Sequence, residues 1–336
     1  MKKQGKTTVV ETSAGRAKIR SAQLISWMSR REVADLTELE AVSAGRRGFF
    51  RARNLEEVRL PQGMTAIKVG AFEGCEKLKT VVLPENSIGV AMSAFAGCKR
   101  LSVLINSERI TVVGAHAFDG CRGLSGIAFS REINSIGERA FRGCVGLREV
   151  EIPPRTGLGR EAFADCTELT RAKLPEDAVL PEGLFRGCLS LEEIVLPASL
   201  ERLPESFFRD CSALRFPELP AGLREIGASA FRECRRLTSV ILPHGLTRIG
   251  AHAFDGCDDL ISIVLPETVR HIGRKAFARR SEVPLTVFVQ SAYLKKRFRR
   301  MLFLSGCRNV RVELRTVPAS RPGTGNPENG KETETT

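Results

Sequence analysis

The sequence predicts a repeat solenoid: mostly short parallel β-strands and turns, closed by helical caps. Three observations lead there. Phenylalanine recurs at 49, 72, 95, 118, 141, 163, 185, 208, 231, 254 and 277, at intervals of 22 or 23 residues. Cysteine follows three residues later in nine consecutive units, at 75, 98, 121, 144, 166, 188, 211, 234 and 257. Leucine follows three residues after each cysteine, from Leu78 to Leu260. A period in the twenties marks units that bury an apolar face only by stacking on their neighbours.

The averaged unit is L-x-x-V-x-L-P-x-x-L-x-x-I-G-x-x-A-F-x-G-C-x-x, and Leu237, Val240, Leu242 and Pro243 show its first part in full. The alternation Leu-x-x-Val-x-Leu is a short strand with one buried face. The proline that follows cannot donate to a ladder and ends that strand. The second apolar cluster makes another extended piece or turn, with glycine expected there for its backbone freedom, as at Gly227, Gly250 and Gly273. Ala-Phe fills the interior from the opposite wall, so phenylalanine, leucine and cysteine should each form a ladder along the axis. Strand spacing of about 4.8 Å sets the step between coils.

These residues carry a resemblance. The unit resembles the leucine-rich repeat of the BspA-like type, with its I-G-x-x-A-F-x-x-C-x-x-L core, over about residues 45 to 289. The resemblance implies a curved solenoid that binds other proteins, in a family associated with cell-surface adhesion. It points to a non-enzymatic interaction scaffold. The expected organisation is a basic extension and cap over 1–43, about ten to eleven coils over 44–289, a cap of helix plus strand over 290–316, and a disordered tail over 317–336.

At the N-terminus, Leu24, Trp27, Met28 and Arg31 fit successive helical turns, with Ser21 as N-cap. Leu36, Leu39 and Val42 read as a degenerate first coil. At the other end, 285–289 reads as a strand, and 291–305 as a helix with Ser291 as N-cap and Gly306 as its stop. Leu294, Phe298, Met301 and Leu302 share its apolar face, which should cover the last coil, and Val310, Val312 and Leu314 give a final strand.

Nine of ten cysteines in one repeat slot read as structural free thiols, each able to satisfy a backbone carbonyl; disulfides or metal are the alternative. No C-x-x-C pair supplies the usual zinc spacing. Cys307, outside the register, is expected to be more reactive. His116 and His252 occupy one slot that elsewhere holds Ser, Arg, Glu or Gly, which marks an outer surface position. Gly5-Lys6-Thr7 lacks the preceding strand and glycine of a phosphate loop. The expectation is therefore no catalytic residue, no metal and no cofactor.

Function then lies on the surface. Residues flanking the buried strand position point outward, and the candidate partner-binding residues are Val82, Ile105, Glu149, Glu151, Arg171, Lys173, Val195, Phe216, Ile241 and Val264. The expected occupant is a protein. The net charge of +13 raises an alternative, a nucleic acid or acidic membrane bound by the basic termini through Lys295, Lys296, Arg299 and Arg300. The charge is localised: +5 over 1–20, +7 over 290–316, −1 over 317–336 and only +2 between 21 and 289. The single Tyr and the commitment of most Phe to the ladder disfavour nucleic acid. No apolar run approaches the length of a membrane span. No secretory signal is evident, so the chain is expected in the cytoplasm. Surface association or a mitochondrial presequence are the alternatives, the latter from eight basic residues and one acid over 1–31.

Overall fold

The computed structural model describes residues 7–12, 15–20, 23–28, 33–37, 43–44 and 47–314. A regular coil has three runs. The first is the strand of the Leu-x-x-Val-x-Leu segment, such as Thr80–Val82, Glu149–Glu151 or Ser239–Ile241. The second is the short strand at Leu-x-x-Ile, such as Ser135–Ile136 or Arg248–Ile249. The third is the turn that carries Phe and Cys. Successive coils pair in parallel with one repeat of offset, as Val103 with Thr80 and Arg171 with Glu149.

The core is a set of ladders. Eleven phenylalanines in register are essentially inaccessible to solvent. Most neighbouring rings stack, with centroids 5.1 Å apart for Phe118–Phe141 and 5.4 Å for Phe254–Phe277. Between Phe163, Phe185 and Phe208 the separation rises to 6.0 and then 6.5 Å. There the preceding small residue, alanine in most coils, becomes Leu184 and Phe207, and the Phe207 ring stands edge-on to both Phe185 and Phe208. The larger side chains hold the rings apart.

The glycine of the Ile-Gly pair serves a different purpose from the one expected. Its φ lies outside the left-handed region in the coils from Gly114 to Gly273. A Cβ on Gly137 would instead lie 2.5 Å from the Ala115 nitrogen, and on Gly250 2.4 Å from the Ala228 nitrogen. In these coils only hydrogen fits where consecutive backbones touch, whereas Ala91 takes the slot one coil before Gly114 and keeps its 2.9 Å bond to Ile67. Most left-handed positions lie in the Phe turn, two residues before each ring and, except at Phe277, two after it, as His116 and Gly120 around Phe118. These residues and the Phe itself each donate a backbone bond to the next coil: His116 to Glu138, Phe118 to Ala140 and Gly120 to Arg142, at 2.7–2.8 Å. The turn row is thus a third ladder. Its hydrogen bonds offset the left-handed cost of about 1–2 kcal/mol at each non-glycine position.

The strand rows are interrupted where the sequence breaks the pattern. In the first row no strand forms at 126–128 or 216–218. Pro217 takes the buried centre of the latter and has no N–H for the ladder. The second row stops between Gly157–Leu158 and Arg202–Leu203, where Pro181 replaces the glycine.

The N-terminal cap differs from the expected helix. Thr7–Thr12, Gly15–Arg20 and Gln23–Met28 form an antiparallel meander, and the third strand pairs in parallel with Ser43–Ala44. The meander thereby extends the second strand row into a nine-stranded sheet. Val9, Val10, Ile19, Ile25 and Trp27 are strand-forming residues, and the open edge of the first coil offers ladder bonds that a helix would leave unmade. The spacing of Leu24, Trp27 and Met28 is therefore not helical. Ser21 and Arg31, and likewise Leu39 and Val42, lie outside the described residues. Leu36 is buried and bonds to Arg59 after the first strand, Val33–Asp35.

At the C-terminus a helix and a strand follow the last coil. Helix α1 spans Ala292–Leu304, the Leu294 N–H donates to the Ser291 hydroxyl at 3.3 Å, and Gly306 is left-handed. Leu294, Phe298 and Leu302 are buried against the last coil. Leu285–Val289 and Val310–Leu314 pair in parallel and end the first strand row.

Candidate functional site: the first strand row

The row alternates as the sequence requires, because the centre of each strand turns inward and its flanks turn out. Val103 and Ile105 are 44% and 45% exposed, Val195 is 72% and Ile241 65%. The charged flanks in the middle of the row neutralise one another across coils. Arg171 pairs with Glu149, and Lys173 with Glu151 at 2.6 Å. The row thus offers apolar side chains beside charges that are already matched.

Three of the expected residues are less open. Val82 and Val264 are half-buried, Val264 against Phe288 of the neighbouring strand. Phe216 is half-buried too, tilted onto Phe231 with centroids 5.7 Å apart, because the strand that would project it does not form. Sequence reading missed the consequence of the other interruption. With no strand at 126–128, Phe129 packs edge-on to Phe141 at 5.7 Å and leaves an open groove of about 940 Å³. Ile127, Phe129, Ile152, Pro153 and Leu174 line it, with Arg131 and Arg155 among the lining residues as well. The signal was Gly126 and Phe129 in a unit without the usual Leu-Pro.

All ten cysteines are free and buried. Each ladder thiol donates to the carbonyl of the Phe one coil earlier, as Cys144 to Phe118 at 3.2 Å. Burial pushes these thiols up, Cys75 to about 12, and the ladder is chemically quiet. Cys307 does not differ as expected. It is buried, and burial raises it as well, beside the Ala276 and Phe277 amides.

The histidine slot is also more constrained than a free surface position. His116 and His252 are left-handed and about one-third exposed, and the Nδ1 of each lies 2.9 Å from a carboxylate oxygen of Asp119 or Asp255. Arg142 holds Asp119 from the next coil at 2.8 Å. These groups knit neighbouring turns. Among the described residues no three His, Cys, Asp or Glu side chains converge as a metal site, and no helix is long and apolar enough to cross a membrane.

The model of the BspA-type leucine-rich repeat region matches residues 44–170 and 178–292, in six copies. The chain belongs to the BspA-type leucine-rich repeat family. Among solved structures it is similar to a leucine-rich repeat protein from Bacteroides ovatus, at 21% identity and TM-score 0.51, over 94% of this chain and 99% of that one. It is also similar to a leucine-rich cell surface protein from Faecalibacterium prausnitzii, at 19% identity and TM-score 0.48, over 88% of this chain and 97% of that one. At these identities the likeness concerns the fold. No curated protein matches the sequence significantly. Membership in a leucine-rich repeat family fits a protein-interaction scaffold.

Proposed function

We propose that this protein is a non-enzymatic scaffold that binds another protein along its first strand row. One observation carries the reading: Val103, Ile105, Val195 and Ile241 stand exposed along the row, and beside Val195 the charges of Glu149, Glu151, Arg171 and Lys173 are already paired with one another. Apolar side chains held on rigid strands favour a partner surface of like chemistry, since little ordering entropy opposes their burial. Nothing in the row resembles a constellation of nucleophile, base and oxyanion donors.

The test is charge substitution on the row. Ile105→Glu, Val195→Glu and Ile241→Glu each place a charge where the partner buries an apolar group. Partners captured by the wild-type solenoid should be lost from the triple variant, with unchanged circular dichroism. Equal capture by both proteins would remove the strand row from the account.

A further inference from the structure

The cap helix does two jobs on two faces. Its inner face, Leu294, Phe298 and Leu302, closes the solenoid. Its outer face has no structural duty, yet it carries large apolar side chains: Phe303 is 80% exposed, Tyr293 76% and Leu304 71%. At roughly 100° per residue these three share one arc with Lys296, Arg299 and Arg300, opposite the buried stripe. The helix contains no acidic residue. Arg308 and Arg311, both exposed, follow it in the connection and the last strand, and Glu313 is the only acid between 290 and 316.

We propose that this outer face docks the protein on a bilayer that carries anionic lipid. Two features of the face fit that occupant together. Lys296, Arg299 and Arg300, which make no ion pair among the described residues, attract anionic headgroups. Aromatic and leucine side chains on the same arc can enter the headgroup boundary while the cations stay at the phosphates. A nucleic acid would use the cations, but it gives no reason for an unstacked Leu304 beside them. An acidic protein would need its own apolar patch. The helix face is distinct from the exposed Val103, Ile105, Val195 and Ile241, so the solenoid can be held at a surface with those residues free.

The experiment is co-sedimentation of the full chain with phosphatidylcholine vesicles, with and without phosphatidylglycerol. Binding should require phosphatidylglycerol and weaken as salt rises. Each cation removed should weaken it about five-fold, as in Lys296→Gln and Arg300→Gln. Phe303→Ser with Leu304→Ser should weaken it at least about ten-fold, because burial of such side chains no longer contributes. These residues are exposed, so the variants should keep the wild-type unfolding midpoint. Equal binding to vesicles of phosphatidylcholine alone would overturn the proposal. So would binding untouched by the serine substitutions, or retention of duplex DNA in preference to phosphatidylglycerol vesicles.

Discussion

Replacing Gly137 by alanine tests the close contact between coils. The added Cβ would lie 2.5 Å from the Ala115 nitrogen and 2.7 Å from the Gly114 carbonyl carbon, both backbone atoms that no rotamer can move. Ordinary contact begins at 3.4 Å. The coils would therefore part locally by about 0.9 Å, which lengthens the 2.8 Å bond from Gly137 to Val113 to about 3.7 Å, beyond hydrogen-bond range. The 2.8 Å bond from His116 to Glu138 lies in the same contact. Two weakened bonds and the overpacking together cost about 2–4 kcal/mol. Two controls separate this cause from backbone strain. Gly120 has φ +74° and no atom within 4 Å of its added Cβ, so alanine there costs only the left-handed penalty of about 1–2 kcal/mol. Gly126 has open space and no positive φ, so alanine there should change stability by less than about 0.5 kcal/mol. Urea unfolding followed by circular dichroism gives all three values. If Gly120→Ala proved the most damaging and Gly137→Ala harmless, the steric reasoning would be wrong.

Four other expectations concern the core and cap. Phe141→Ala empties a site between rings 5.1 and 5.3 Å away and should cost about 3–5 kcal/mol in the same assay. The thiol ladder should make the fold alkali-sensitive. Native thiols raised above the ordinary 9.0 keep their protons while the unfolded chain loses them, so stability present below pH 9 falls as pH rises toward 12, where Cys75 titrates. The slope is about 1.4 kcal/mol per pH unit for each thiol, and Cys121→Ala with Cys144→Ala should flatten it by two thiols' worth in urea midpoints taken across that range. Iodoacetamide at pH 8 should label all ten cysteines in urea and none quickly in native protein, Cys307 included; fast native modification at Cys307 would contradict its burial. Ser291→Ala removes the cap of α1 and should cost about 1 kcal/mol, visible as faster amide exchange across 292–295.

The ladders were legible because burial constrains residue type in every coil: Phe141, Cys144 and Leu147 each have one neighbour above and one below, so the register repeats in sequence. The role of the Ile-Gly glycine was misread because glycine signals missing bulk and positive φ alike, and only the Ala115 backbone beside Gly137 tells which applies. The left-handed residues two before each Phe left no trace, since Arg139, Glu161 and His252 occupy the slot as readily as Gly70. The N-terminal meander was hidden for another reason. Its strand character depends on the sheet edge at Ser43–Ala44, a tertiary partner that local spacing does not reveal. On the surface, the exposure of Ile105, Val195 and Ile241 follows from alternation, while Phe216 is half-buried because Pro217 dissolves the strand that would turn it outward. Phe303 and Tyr293 escaped notice because helical periodicity draws attention to the buried face.

The most direct measurement is photo-cross-linking from single positions of the folded chain. A benzophenone side chain at Val195 or Ile241 should give discrete adducts with a partner protein. The same group at Val179, 85% exposed but off the first strand row, should give none. Adducts from Val179 with none from Val195 or Ile241 would contradict the strand row as the binding surface.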